Sequence, residues 1–145
     1  MKYNICAVTG SRADFGILRP ILDKLSKNKE FNLELIITGS HTLKKFGYTL
    51  NEIKKSNFKL KNIIKITDKG DNDMGVIKQT SSLIKDISTK LKILKPECIL
   101  LLGDRFEIFS AAYSAFLLNI PIIHIHGGEQ TTGSLDNALR HSITQ

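Results

Sequence analysis

Five short apolar runs, each closed by turn residues and separated from the next by a stretch of helical periodicity, set the strongest limit on how this chain can fold. Strands and helices in alternation build βαβ units, and such units build an α/β domain with a parallel sheet and helices on its faces. Residues 3–8 (YNICAV), 32–38 (NLELIIT), 61–66 (KNIIKI), 97–102 (ECILLL) and 120–126 (IPIIHIH) read as the strands. The fourth is apolar without alternation, as a strand covered on both faces requires. The pattern predicts a helix over about 16–27, with Ile17, Leu18, Ile21, Leu22 and Leu25 on one face, and a weaker one near 42–55. A long helix follows over about 73–93, with Ile77, Leu83, Ile84, Ile87, Leu91 and Leu94 roughly in phase, stopping before Pro96. Further helices are expected over about 106–118 and from about 134, and TDKGDNDMG, rich in Gly, Asp and Asn, reads as loop.

A length of 145 residues fits one domain able to bury roughly two-thirds of the surface of its unfolded form. With 41% hydrophobic and 24% charged residues, the chain is neither disordered nor fibrous. No run reaches the ~18 apolar residues of a membrane span, and MKYNICAV enters a strand pattern without a signal peptide. The expected location is therefore the cytoplasm, with no membrane partner. Cys6 and Cys98 lie in apolar runs with no Cys or His at metal-ligand spacing, as inert buried thiols do. The net charge of +7 comes largely from lysines scattered between residues 24 and 95, a solvated face without nucleic-acid-binding motifs. Nucleic acid is thus not an expected partner, whereas an anionic substrate such as a nucleotide diphosphate is favoured.

In open parallel sheets the ligand lies outside the carboxyl ends of the strands, which directs attention to TGSRADFG, TGSH, LGDRFE and HIHGGE. Gly10 and Gly16 bracket a strand-to-helix loop whose free N–H groups could receive an anion beside Arg12; a tight turn with Arg12 on the surface is the plainer reading. The loop is neither GxGxxG nor GxxxxGK[ST], which disfavours a dinucleotide or P-loop site. Asp104 and Arg105 follow an apolar strand. They either cap the next helix or combine a proton-transferring carboxylate with a phosphate-binding guanidinium. His124 and His126 alternate on a strand and face opposite sides. His124 reads as a satisfied core residue, and His126, beside Gly127 and Gly128, as the functional candidate; no third ligand completes a metal site. Asp136 and Arg140 lie four apart, either as an ion pair worth a few tenths of a kcal/mol or with Asp136 joining Asp104, His126 and Glu129 in acid and base roles.

Together VTGSRADFGILRPIL, TGSH, LGDRFEIFSAA, IPIIHIHGGE and DNALRHSIT resemble, over the whole chain, the hydrolysing UDP-N-acetylglucosamine 2-epimerases of sialic and legionaminic acid biosynthesis. The resemblance implies two Rossmann-like domains of GT-B type with the active site between them, residues 1–145 forming the first. The second nucleotide-binding domain, which in the family holds most uridine and diphosphate contacts and an important histidine, has no counterpart here. Truncation is therefore expected, with the fragment inactive or nearly so and an apolar patch exposed around residues 134–145.

By resemblance, Arg12 and Arg105 approach the diphosphate, His41 lines the sugar pocket, and Asp14 joins them on the substrate side. Asp104, His126 and Asp136 match catalytic positions. Many relatives read HIEGGE where this chain reads HIHGGE, so Glu129 is a second candidate for the proton transfer assigned to His126. The implied reaction expels UDP from C1 as the C2 proton leaves. Water then adds to the 2-acetamidoglycal to give N-acetylmannosamine, with no metal or cofactor, in a homo-oligomer at full length. The alternatives are the same chemistry on UDP-N,N'-diacetylbacillosamine, a non-catalytic nucleotide-sugar-binding module, and a glycosyltransferase of the same architecture.

Overall fold

The computed structural model describes residues 2–47, 49–56, 58–67, 72–134 and 136–145. Its elements run β1 (Tyr3–Thr9), α1 (Arg12–Lys27), β2 (Phe31–Ile37), two 3₁₀ turns (Gly39–Thr42 and Lys44–Phe46), α2 (Leu50–Lys54) and β3 (Asn62–Ile63). They continue with α3 (Asp73–Leu94), β4 (Cys98–Leu102), α4 (Phe106–Leu117), β5 (Ile122–Ile125) and α5 (Asp136–Thr144). The strands form a sheet of order β3-β2-β1-β4-β5 with every pairing parallel. From β1 the chain winds outward to β3, then returns to lay β4 on the other side of β1. That reversal opens a crevice at the carboxyl ends of β1 and β4, where α/β sheets of this order bind ligands.

The expected layering is present because the central strands are apolar on both sides. Along β1, Cys6 and Val8 pack with Leu83, Ile87 and Leu91 of α3, Ile108 and Ala111 of α4 and Ile143 of α5. The alternate residues Ile5 and Ala7 pack with Phe15, Leu18 and Leu22 of α1 and with Leu50 and Ile53 of α2. On α4, Ser110, Ala111, Ser114 and Ala115 are buried, and their small side chains let α3 approach until Ser114 Oγ donates to Ile84 O at 3.1 Å. Cys6 is buried and its thiol is pushed up to about 12, mainly by desolvation; Cys98 is half-buried, and both are unpaired.

Several expectations need correction. The first helix starts at Arg12 rather than near 16, because the Ser11 side chain accepts from Asp14 N at 3.3 Å and caps it. Gly16 therefore lies inside the helix and does not bracket the loop. Its buried face is Phe15, Leu18 and Leu22, while Ile17 and Ile21 are exposed. The helix expected near 42–55 is broken into the two 3₁₀ turns and the single turn of α2, since Gly47 adopts a left-handed φ of 78°. The third strand shrinks to Asn62–Ile63, an edge that among the described residues pairs with β2 alone. Asn72 caps α3 through Gly75 N, so 73–75 are helix, while 68–71 of the expected loop lie outside the described residues. On α3, Ile77 faces solvent and Gly75 and Gln79 are buried instead.

The loops after β1 and β2 are fused at one glycine. Ser40 N donates to Gly10 O at 2.8 Å, and Gly39 sits at φ 61° against it. A Cβ at Gly39 would lie 2.4 Å from Gly10 O and 2.8 Å from Glu107 Oε1. Both the left-handed φ and the backbone clash oppose a side chain. Gly39→Ala is expected to cost about 2 kcal/mol or more in urea unfolding; an unchanged midpoint would contradict this packing.

An apolar surface does lie beside the last helix, but α4 and β5 form most of it. Tyr113, Phe116, Leu117 and Ile123 are exposed, whereas Ile143 of α5 is buried. A groove of about 740 Å³ runs between them along Phe109, Tyr113, Ile122 and Ile143. Among the described residues, no helix is long and apolar enough to cross a membrane.

Candidate functional site

The cap at Ser11 brings Arg12 and Asp14 into the first turn of α1, at the carboxyl end of β1. Arg12 is largely exposed and its Nε donates to Glu52 Oε2 of α2 at 3.0 Å. Such a solvent-exposed pair contributes little stability and exchanges readily for another anion. Asp14 behaves differently. Its Oδ2 is buried with no hydrogen-bond partner among the described residues, and desolvation raises its carboxyl above the usual range, opposed by the Ser11 hydrogen bond and the Arg105 charge.

On the other side of the crevice Gly103, at φ 79°, ends β4 and turns the chain into Asp104 and Arg105. Neither side chain caps α4. Arg105 occupies the cap position without a capping side-chain bond, and its guanidinium grips Glu107 through Nε to Oε2 at 3.2 Å and Nη2 to Oε1 at 3.1 Å. Burial is the largest influence on Arg105 and alone would lower its pKa. The hydrogen bonds and charge of Glu107, with the charges of Asp14 and Asp136, raise it on balance. Glu107 was not among the expected site residues, yet it is 1% exposed and packed against Gly10. Its place in the first turn of α4, two residues beyond Arg105 in LGDRFE, is the sequence feature that marks it.

Asp104 points to the last helix instead. Arg140 of α5 donates to Asp104 Oδ2 through Nε at 2.8 Å and also through Nη2, and its Nη1 donates to Glu129 O at 2.9 Å and Thr131 Oγ1 at 3.2 Å. The expected Asp136–Arg140 ion pair is thereby replaced: Arg140 reaches back to β4, and Asp136 stands exposed at the start of α5 with its N–H on Ser134 Oγ. The loop between β5 and α5 is tied further by Thr131 N donating to Asn137 Oδ1 at 3.0 Å.

His124 is a satisfied structural residue. Its Nε2 donates to Gly103 O at 2.7 Å and its Nδ1 meets Thr144 Oγ1 at 2.9 Å. Gly127 leaves room for this contact, since a Cβ there would sit 2.9 Å from His124 Nδ1. His126, half-exposed in the left-handed region at φ 60°, places Nδ1 2.8 Å from Glu129 Oε1. The two candidates for one proton transfer thus stand in direct contact.

His41 is fully buried. Its Nε2 lies 3.0 Å from Thr9 Oγ1 and its Nδ1 2.7 Å from Thr49 Oγ1, with Thr9 Oγ1 in turn near Ser11 O. Desolvation lowers its pKa to about 4, so it is neutral at pH 7. In this structure it braces the loops after β1 and β2 rather than facing an open pocket. Asp104, Arg105, His126, Glu129 and Asp136 come from adjoining loops and helix starts at the sheet's carboxyl edge, with Arg140 and Glu107 holding two of them. Among the described residues, no three His, Cys, Asp or Glu side chains gather as a metal site.

Known proteins share this arrangement of elements. The chain is 40% identical over 97% of its length to the polysialic acid biosynthesis protein P7 of Escherichia coli, covering 36% of that protein. It is 36% identical over 99% of its length to a GDP/UDP-N,N'-diacetylbacillosamine 2-epimerase (hydrolyzing) of Campylobacter jejuni, covering 37% of it. The chain thus spans little more than a third of these relatives. Its fold superimposes on the UDP-GlcNAc 2-epimerase of Neisseria meningitidis, solved bound to UDP-GlcNAc, with a TM-score of 0.80 at 23% identity, over 97% of this chain and 37% of that one. The family model described as UDP-N-acetylglucosamine 2-epimerase matches residues 23–145, and with these relatives it shows that the chain belongs to the UDP-N-acetylglucosamine 2-epimerase family.

Proposed function

We propose that residues 1–145 form the first domain of a two-domain hydrolysing 2-epimerase. It converts UDP-N-acetylglucosamine to N-acetylmannosamine and UDP through a 2-acetamidoglycal, for nonulosonic acid synthesis. The observation that carries this reading is the placement of Asp104 and Arg105 side by side at the mouth of β4, one held by Arg140 and the other by Glu107. A carboxylate and a guanidinium fixed at neighbouring points can take a proton and receive a leaving anion in one step.

The C2 proton of such a sugar is a weak acid. Positive charge developing at C1 as UDP departs loosens it, and the departing diphosphate gathers negative charge that Arg105 and Arg12 are placed to accept. Asp104, the His126–Glu129 unit and Asp136 divide removal of the C2 proton, its return and activation of water. His41 contributes through the loop it braces, and Asp14 stands on the substrate side in the first turn of α1. The whole protein is proposed to be a cytoplasmic homo-oligomer with a second nucleotide-binding domain.

A second reading keeps this chemistry and changes the sugar to UDP-N,N'-diacetylbacillosamine; the name of the Campylobacter jejuni relative favours it. The test is the full-length protein in deuterium oxide with each UDP-sugar in turn, following UDP release and mass at C2. Elimination and re-addition must place one deuterium at C2 of the released sugar, and the preferred substrate is the one with the higher kcat/KM. UDP release with no deuterium at C2 would replace the epimerase by a simple hydrolase or transferase.

A further inference from the structure

We infer that Arg140 is a positioning residue of the reaction centre, fixing one oxygen of Asp104 so that the other alone meets the substrate. The inference rests on the epimerase reading, in which Asp104 acts on the sugar. Two donors of Arg140, Nε and Nη2, converge on Oδ2 of Asp104. Among the described residues Oδ1 has no hydrogen-bond partner. Rotating the carboxylate would break two charge-assisted hydrogen bonds, so the direction of Oδ1 is set by Arg140.

The same guanidinium holds the other proton-handling groups in place. Its Nη1 bonds Glu129 O and Thr131 Oγ1, anchoring the turn that carries the His126–Glu129 pair. Asp136 lies one helical turn before Arg140 on α5, so the grip on Asp104 also sets where Asp136 stands. The pair is well shielded, with side-chain exposures of 13% for Arg140 and 16% for Asp104. A planar fork is needed for this role. A lysine ammonium is a point charge on a flexible stem and cannot span Asp104, Glu129 O and Thr131 together.

The experiment is steady-state kinetics of the full-length enzyme with UDP-N-acetylglucosamine, beside thermal unfolding with and without UDP. Arg140→Ala is expected to lower kcat about 100-fold with KM within about threefold, the loss that misplacement of a reacting group by about 1 Å brings. Arg140→Lys, which keeps the charge and is the milder test of folding, is expected to remain at least about 10-fold below wild type in kcat. In an Asp104→Asn background Arg140→Ala should add no more than about a threefold loss, because residues acting as one unit are not additive. Full rescue by Lys, an undiminished second loss in the Asp104→Asn background, or a raised KM with kcat kept would overturn the positioning role. Asp104→Asn with normal turnover is a different failure, and it removes the epimerase reading itself.

Discussion

In the proposed full-length enzyme, Asp104→Asn should slow UDP release about 1000-fold while leaving UDP affinity within a few-fold, the middle of the range for loss of a group that transfers a proton in the transition state. The amide preserves shape. Its oxygen can still accept from Nε and Nη2 of Arg140, which places the NH₂ where Oδ1 stood. At that position a donor has replaced the acceptor. The diphosphate is proposed to meet Arg105 and Arg12, and neither of them bonds Asp104, so binding of the nucleotide should survive. The shielded Arg140 loses its counter-charge, and a modest fall in thermal midpoint is expected with the slower turnover. Isothermal titration with UDP separates the outcomes. A fall in UDP affinity as large as the fall in rate would mean that Asp104 organises the binding site; an unchanged rate would remove it from the chemistry.

Most of the fold was legible because the strands alternate with helices and β1 and β4 carry apolar residues on both faces. The four loops expected to converge do so at the carboxyl edge of the sheet. What escaped was decided by local capping and by tertiary choice. The Ser11-x-x-Asp14 spacing is a helix start, but Gly16 drew the boundary four residues too late. The i, i+4 spacing of Asp136 and Arg140 offered a helical ion pair, whereas the fold places the carboxylate of Asp104 within reach of the same guanidinium. A sequence shows which charges share a helix face and not which distant charge a loop delivers. Glu107 was passed over for a related reason. Glutamate near a helix start usually faces solvent, and only the close approach of the Gly10 and Gly39 backbones buries this one. His41 was placed in a pocket by resemblance. Its burial depends on Thr9 and Thr49, which lie 32 and 8 residues away, closing on both ring nitrogens.

That buried imidazole leads to the second large effect, a loss of stability on mild acidification. His41 titrates at about 4 in the folded protein, against an ordinary value of 6.5, chiefly through desolvation. Above pH 6.5 it is neutral in both states and contributes no pH dependence. Between 6.5 and 4 the unfolded chain takes up a proton that the folded chain refuses, so stability falls as the pH falls, levelling off below the folded value. The gap of about 2.5 pH units corresponds to about 3 kcal/mol. Asp14 acts in the opposite sense, because its raised carboxyl lets the folded state bind a proton first. The loss due to His41 is therefore expected between about pH 6.5 and 4. Urea midpoints measured across pH 7.5 to about 4 should show this slope in the wild-type protein. His41→Gln cannot titrate and should be less stable at pH 7 for want of one bond of the relay, yet flatter across the same range. An equal slope in the two proteins would assign the acid sensitivity to carboxylates elsewhere and leave His41 without a role in it.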